Sequence, residues 1–243
     1  MIDNHVHIGW YSDGYHCPLD VWKAELDAGI DDIVVSSTST CAELYKLVVR
    51  EMRALIKIGG PQIHPLLWVT PRMMKTWGIR YMLHSKIRWQ GIKMHWGAHR
   101  EWFYNDKLVQ DVLKLARTNR LPILLHTGGA KECDAIVFKR LCNENDDITF
   151  VLAHGRPIDQ AIEVLKSCSN SYVDTAFMPQ TSINRLVEER LCDRVIFGTD
   201  VPINTVLNNV ENSSEYIKNC LNQLSEALNH NQFITVTNRI VYQ

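Results

Sequence analysis

The sequence predicts a single-domain (β/α)8 TIM barrel that covers residues 1–243. Short apolar runs alternate with amphipathic stretches along the whole chain. Eight such runs can be counted, at roughly 30 residues per unit, which is the barrel repeat. Apolar runs of this length are typical of parallel strands that are buried on both faces. An open, doubly wound sheet is the alternative, but the first turn, His5-Val6-His7-Ile8-Gly9, lacks the glycine-rich phosphate pattern frequent in such sheets.

The predicted strands and helices follow one another at regular intervals. The strands are predicted at residues 1–7, 32–36, 65–69, 91–95, 122–126, 148–154, 171–175 and 195–200. Between them, apolar residues at helical spacing predict amphipathic helices over residues 44–56, 108–116 and 217–228. The first of these helices should stop at Gly59-Gly60-Pro61, which is a strong helix breaker. The tail, residues 233–241, is expected to pack against the bottom of the barrel as a short helix or extended cap.

Composition and charge exclude several classes of protein. With 46% hydrophobic residues, 22% charged residues and a net charge of -1, the chain has no basic surplus for a nucleic-acid partner. Its apolar runs are too short to span a membrane. The seven cysteines are odd in number and form no CxxC pair, so reduced thiols fit better than disulfides. The chain opens without the features of a signal peptide. We therefore expect a cytoplasmic protein with a small-molecule partner.

Potential metal ligands lie at the ends of four predicted strands. His5 and His7 are two residues apart on a strand, so their side chains point the same way. His126, His154 and Asp200 each end an apolar strand, and barrels carry their chemistry at these C-terminal ends. Imidazole and carboxylate ligands suit Zn²⁺, and also Mn²⁺, Fe²⁺ or Co²⁺. The pattern predicts a catalytic metal that activates a water, with Asp200 placed both to bind the ion and to accept a proton.

The same segments resemble the amidohydrolase superfamily, most closely its amidohydrolase-2 branch, which includes hydrolases and metal-dependent decarboxylases. The matching segments are Asp3-Asn4-His5-Val6-His7, Gly91-Ile92-Lys93-Met94-His95, Leu125-His126-Thr127-Gly128, Ala153-His154-Gly155 and Phe197-Gly198-Thr199-Asp200-Val201-Pro202. The resemblance implies one divalent metal, zinc before the alternatives, bound by His5, His7, His126 and Asp200. It implies that His154 orients the water or moves its proton as acid or base. The family's habit also suggests a homodimer.

Lys93, on the fourth predicted strand, has two interpretations. In relatives with two metals, a carboxylated lysine on this strand bridges the ions, and a second metal here would recruit His154 as a ligand. The alternative is a free ammonium that binds a substrate anion or pairs with Asp200. TatD-like nucleases usually carry a glutamate on this strand. Residues 91–97 contain no acid, which lowers the nuclease interpretation.

Substrate contacts are expected from the loops that follow the strands. The predicted substrate-binding residues are Trp10, Lys93, His95, Trp96 and Arg156. Aromatic rings with a few cations suit a flat or cyclic substrate that bears a carboxylate, with Arg156 as its anchor.

Three hypotheses for the function follow. The first is a hydrolase of an amide, lactone or ester bond, in which a metal-activated water attacks while Asp200 and His154 move protons. The second is a non-oxidative decarboxylase or C–C hydrolase that uses the same site. The third is a barrel that binds a ligand without turning it over. Filled catalytic positions argue against the third, and the sequence separates the first two poorly.

Overall fold

In a computed structural model of the protein, which describes residues 1–203 and 212–242, parallel strands close into a barrel. The described strands are β1 Ile2–Tyr11, β2 Gly14–His16, β3 Asp32–Ser37, β4 Ile63–Trp68, β5 Gly91–Met94, β6 Ile123–His126, β7 Phe150–Ala153, β8 Ser171–Asp174 and β9 Val195–Ile196. Apart from β2, neighbours in the chain pair in parallel. The ring closes where the Asn4 amide donates to the Phe197 carbonyl at 2.9 Å and the His7 amide to the Val201 carbonyl at 2.7 Å. The predicted (β/α)8 barrel is confirmed.

Helices connect the strands around the outside of the barrel. The described α-helices are α1 Pro18–Asp27, α2 Tyr45–Gly59, α3 Pro71–Lys75, α4 Gly78–Leu83, α5 Asp106–Asn119, α6 Lys139–Asn143, α7 Ile158–Ser167, α8 Gln180–Glu188, α9 Ser213–Ala227 and α10 His230–Asn238. All three helices predicted from apolar spacing are present, as α2, α5 and α9. In α5 the Asn105 side chain caps the first turn by accepting from the Leu108 amide at 3.3 Å. Of the described helices, none combines the length and the apolar character that a membrane span requires.

Two strands end several residues away from their predicted ends, whereas the other six end within one residue of them. The first strand continues past His7 to Tyr11, because Trp10 pairs with Tyr15 of β2 in an antiparallel hairpin. The last strand is only Val195–Ile196, and the chain leaves it before Asp200, whose φ of 64° cannot continue a strand. Both differences lie at the C-terminal face of the barrel, where the candidate ligands are.

The tail of the chain closes the opposite face, as predicted. Tyr242 is fully buried and packs inside the barrel with residues such as Leu66, Leu124 and Ile196. It lies near the start of β5, since a Cβ added at Gly91 would be 2.8 Å from its ring. The bottom of the barrel is therefore filled by side chains, and the open end is at the top.

Candidate metal centre

Three of the predicted ligands meet at the C-terminal face, next to the closure of the barrel. His7 Nε2 lies 2.8 Å from Asp200 Oδ1, and His5 Nε2 lies 3.2 Å from the same oxygen. One ligand atom from each of the three residues lies within 4.8 Å of the others. All three side chains are buried. The two histidines converge because residues i and i+2 of a strand face the same side.

Contacts on the far side of each ring hold the two histidines in place. His5 Nδ1 lies 2.9 Å from Asp174 Oδ2, and His7 Nδ1 lies 2.9 Å from the Ser36 hydroxyl. Each contact fixes the ring with its Nε2 toward Asp200, which is how metal-binding histidines are usually oriented. Asp174 was not singled out in the sequence, although it is the last residue but one of the strand predicted over residues 171–175 and the last residue of β8. The strand-end position was the signal that could have found it.

The donor set fits a divalent ion of the zinc type. Two imidazole nitrogens and one carboxylate oxygen are buried within reach of one point, and each imidazole has the outer partner that zinc sites carry. The backbone of the site is also unusual. Asp200 has a φ of 64° and His154 a φ of 69°, a left-handed conformation that few non-glycine residues adopt.

Three further histidines on the same face form a second group beside His5, His7 and Asp200. The ring of His95 stacks on that of His126 with centroids 3.6 Å apart, and His126 Nδ1 lies 3.2 Å from His154 Nε2. His154 Nε2 lies 3.9 Å from Asp200 Oδ2, so it links the two groups. The described residues contain two sets of three side chains whose donor atoms lie within 4.8 Å of one another. One set is His5, His7 and Asp200, and the other is His5, His154 and Asp174. His126 belongs to neither set. The structure therefore places His154 within 4 Å of Asp200 and places His126 beside His154.

Lys93 is buried in the centre and does not reach the surface. Its Nζ lies 3.1 Å from His5 Nε2 and 5.8 Å from the centre of the Trp68 ring. Burial lowers the pKa of this lysine to about 8, an effect that the charge of Asp200 opposes. A free amine and a carboxylated amine are both consistent with this position.

Burial controls the protonation of the histidines. It lowers the pKa of His7 to about 4 and the pKa values of His95 and His154 to about 3, and it holds the pKa of His126 well below its usual range. These rings are therefore neutral at neutral pH and have a lone pair free for a cation or a proton. Burial alone would raise the pKa of Asp200. The charge of His5 and the hydrogen bond from His7 outweigh it, so that this pKa is well below its usual range.

A cavity of about 510 Å³ opens above the centre. Its polar wall includes His7, Lys93, His95, His126 and Asp200. Its aromatic wall consists of Trp10, Tyr11 and Trp68. Trp68 was missed in the sequence, although it ends β4. Its ring lies 5.3 Å from the His7 ring and nearly parallel to His95.

Two of the predicted substrate-binding residues, Trp96 and Arg156, do not line this cavity. Trp96 packs edge-on against Phe103 at 5.4 Å and Phe138 at 5.2 Å, as a core aromatic does. The guanidinium of Arg156 lies 5.7 Å from the ring of Phe177. Neither residue is among the described residues that line the cavity. Both residues follow strands as predicted, and their role in substrate binding stays a prediction.

The fold and the site together define a TIM barrel with a candidate metal centre at its C-terminal face, and sequence comparison gives its family. The amidohydrolase family model matches residues 79–228, which is more than half of the chain. The protein therefore belongs to the amidohydrolase family, as the sequence motifs predicted. A search of curated proteins finds no match.

Solved structures share the fold at low sequence identity. A probable 2-pyrone-4,6-dicarboxylic acid hydrolase from Acinetobacter baumannii, with citric acid bound, is 13% identical with a TM-score of 0.71, covering 98% of this chain and 96% of that one. An uncharacterized TIM-barrel protein from Bordetella bronchiseptica is 16% identical with a TM-score of 0.72, covering 98% and 95%. A 5-carboxyvanillate decarboxylase from Novosphingobium aromaticivorans, with bound manganese, is 10% identical with a TM-score of 0.65, covering 90% and 78%. These likenesses establish the fold.

Proposed function

We propose that the protein is a metal-dependent hydrolase that cleaves an amide, lactone or ester bond of a small, carboxylate-bearing substrate. The observation that carries the proposal is the convergence of His5, His7 and Asp200, of which His7 and Asp200 line a cavity of about 510 Å³. A cavity of this volume suits a small molecule, and its few polar groups are concentrated at one place. This combination of a polar centre and an apolar wall is typical of an active site.

The chain would hold one divalent ion through His5, His7 and Asp200, with His126 as the fourth protein ligand. Zinc is the first candidate, and manganese, iron and cobalt are the alternatives. When bound, such an ion lowers the pKa of water and polarises the carbonyl oxygen of a substrate. The orientation of His5 depends on Asp174, whose carboxylate is 2.9 Å from His5 Nδ1.

Two residues of the chain are placed to move the proton. Asp200 is ionised, because its pKa is held well below the usual range, so it can accept a proton from the attacking water. His154 Nε2 lies 3.9 Å from Asp200 Oδ2, and its Nδ1 faces the Ala176 carbonyl at 3.2 Å. With Nδ1 protonated and directed at the carbonyl, Nε2 keeps the lone pair that takes up the proton and returns it to the leaving group.

The cavity supports a flat, acidic substrate. Trp10 and Trp68 offer apolar faces to a planar group. Lys93 is the one lysine or arginine among the described lining residues, and it lies beside the centre, where a carboxylate or a developing anion would be stabilised. The names of two structural neighbours, a dicarboxylic acid hydrolase and a carboxyvanillate decarboxylase, agree with an acidic substrate.

A decarboxylase acting on an unsaturated or aromatic acid is the second candidate. The manganese-containing decarboxylase from Novosphingobium aromaticivorans has the same barrel. In that reaction His154 would first take up a proton from solvent at Nε2 and would then deliver it to the carbon that loses the carboxylate. Release of CO2 from a substrate without an amide, lactone or ester bond would select it.

Metal content per chain tests the proposal, measured by elemental analysis on the wild type and on Asp200→Asn. Asp193→Asn is the matched control, because that carboxylate is 72% exposed and distant from the centre. We expect about one metal equivalent in the wild type and in the control, less in Asp200→Asn, and a loss of turnover of roughly 10² to 10⁴ for the loss of the base. Two equivalents would indicate that a carboxylated Lys93 bridges two ions and that His154 binds the second. Absence of metal after reconstitution, or an active Asp200→Asn variant, would contradict the mechanism.

A further inference from the structure

His95 lines the cavity and has no part in the chemistry proposed above. It directly follows Met94, the last residue of β5. Its ring stacks on that of His126 from β6, with centroids 3.6 Å apart and an angle of 12° between the planes. It also lies nearly parallel, at 14°, to the ring of Trp68 from β4, with centroids 6.1 Å apart. Rings from the two neighbouring strands therefore flank the imidazole and restrict its rotation.

A backbone amide determines which ring nitrogen of His95 carries the proton. The Ala98 amide donates to His95 Nδ1 at 3.1 Å, across a turn in which the His99 amide donates to the Trp96 carbonyl at 3.1 Å. An amide N–H can only donate, so Nδ1 accepts with its lone pair and carries no proton. An imidazole with an unprotonated Nδ1 is neutral and has its single proton on Nε2. His95 therefore presents a neutral N–H donor at Nε2, and the lone pair that could bind a cation is already in use.

The Nε2 donor of His95 is available to a ligand in the cavity. In the part of the chain that the structure describes, no group accepts a hydrogen bond from Nε2, and Nε2 is not enclosed away from solvent. Lys93, two residues earlier, points to the same side of the chain and also lines the cavity. Lys93 is buried beside His5, whereas His95 is only partly buried. The amine of Lys93 is therefore deep in the cavity, and the neutral donor of His95 is nearer to its mouth.

We propose that His95 is a specificity-determining residue that donates a hydrogen bond from Nε2 to an oxygen of the substrate's acidic group. The inference rests on the proposed function and narrows its substrate class, because the group that faces His95 must be a hydrogen-bond acceptor such as a carboxylate. A substrate with an amine at this position is rejected, since two N–H donors that face each other both lose a partner. The ring cannot adapt by moving its proton to Nδ1, because Nδ1 accepts from the Ala98 amide. His95 therefore selects acids over nitrogen bases of the same shape.

Nitrogen NMR of the full chain supplied with zinc tests the donor without any turnover. Spectra of nitrogen-labelled histidine rings distinguish a protonated ring nitrogen from one with a free lone pair, and the spectrum of His95→Gln identifies the signals of His95. Near neutral pH we expect an unprotonated Nδ1 and a protonated Nε2, and we expect the Nε2 signal to shift when benzoate, a flat carboxylate, is added. A proton on Nδ1, or a Nε2 signal that benzoate leaves unchanged, would overturn the proposal.

Binding of benzoate and of benzamidine, a nitrogen base of the same shape, tests the selection. His95→Phe keeps a ring that can stack on His126 but removes the donor, whereas His95→Gln keeps an N–H donor. His84→Phe is the matched control, because it makes the same change at an exposed histidine whose Nδ1 faces the Arg80 carbonyl. Calorimetry on the zinc-loaded proteins measures the dissociation constants.

In His95→Phe we expect the Kd for benzoate to rise at least about tenfold, the factor expected for one hydrogen bond to a charged oxygen, with no such loss for benzamidine. In His95→Gln and His84→Phe we expect the Kd for benzoate to stay within about threefold of the wild type. Wild-type affinity for benzoate in His95→Phe, or an equal loss for both ligands, would contradict the selection. If His95→Phe does not fold, the NMR measurement decides alone. If the protein binds no metal or turns over no tested substrate, the proposed function fails, and the proton position and the affinity for benzoate still decide the role of His95.

Discussion

Two groups of histidines lie side by side on the same face of the barrel and differ in what surrounds them. We call His5, His7 and Asp200 the carboxylate group, and His95, His126 and His154 the imidazole group. In the carboxylate group, both imidazoles point at one ionised carboxylate oxygen, and a second contact holds the far side of each ring. In the imidazole group, the rings contact each other, and the carboxylate oxygen nearest to a ring nitrogen is 3.9 Å away. A strand-end position supplies a candidate ligand, but the carboxylate and the outer contact define a metal site.

The two groups should differ most in how far metal affinity falls when one imidazole is removed from each. His7→Ala deletes a ligand of the carboxylate group, and we expect metal affinity to fall at least about a hundredfold, since even outer contacts are worth 10- to 100-fold. His95→Ala leaves the donor set of the carboxylate group complete, so affinity should change by less than about threefold. Competition with a chromophoric chelator measures both. Equal losses would mean that His95 contributes as much to metal binding as His7 does, which would contradict the proposed ligand set.

Loss of the contact between Asp174 and the His5 ring should have the next largest effect on metal affinity. Asp174→Asn cannot hold the His5 ring in the same way, because an amide carries no charge. We expect metal affinity to fall by roughly 10- to 100-fold while the fold is kept. Chelator competition and circular dichroism measure the two quantities. Asp193→Asn serves again as the control, and wild-type affinity in Asp174→Asn would show that the contact is unrelated to metal binding.

The smallest effect is the dependence of the free energy of unfolding on pH, to which His95 of the imidazole group contributes. His95 has a pKa of about 3 in the folded protein against 6.5 in an unfolded chain. The unfolded state therefore takes up a proton below pH 6.5 that the folded state does not, and stability falls as pH falls from 6.5 toward 3. His95→Gln should flatten this slope for metal-free protein, by at most about 1.4 kcal/mol per pH unit. Denaturant titrations at several pH values measure the slope, and an unchanged slope would contradict the burial of a neutral ring.

The sequence predicted the barrel and the C-terminal face that carries the site. Strands that are buried on both faces leave apolar runs in the sequence, and these runs end at polar residues. His5, His7 and Asp200 were found by that rule, and Asp174, at the end of β8, obeys it as well. The hairpin was not predicted, because its polar stretch Tyr11–Tyr15 resembles a loop, although Asp13-Gly14 is a turn signal. Side-chain direction was also out of reach. His126 and Arg156 lie where expected along the chain, but ring stacking turns the first toward His154 and packing turns the second toward Phe177.

The location of a bound ion would show whether the carboxylate group is the metal site. Crystals of the protein soaked in zinc would be measured at the zinc absorption edge, where anomalous scattering locates the ion independently of any assumed site. We predict one peak within bonding distance, about 2.0–2.2 Å, of His5 Nε2, His7 Nε2 and an oxygen of Asp200. A peak held by the His95, His126 and His154 rings alone, or the lack of any peak on this face, would contradict it.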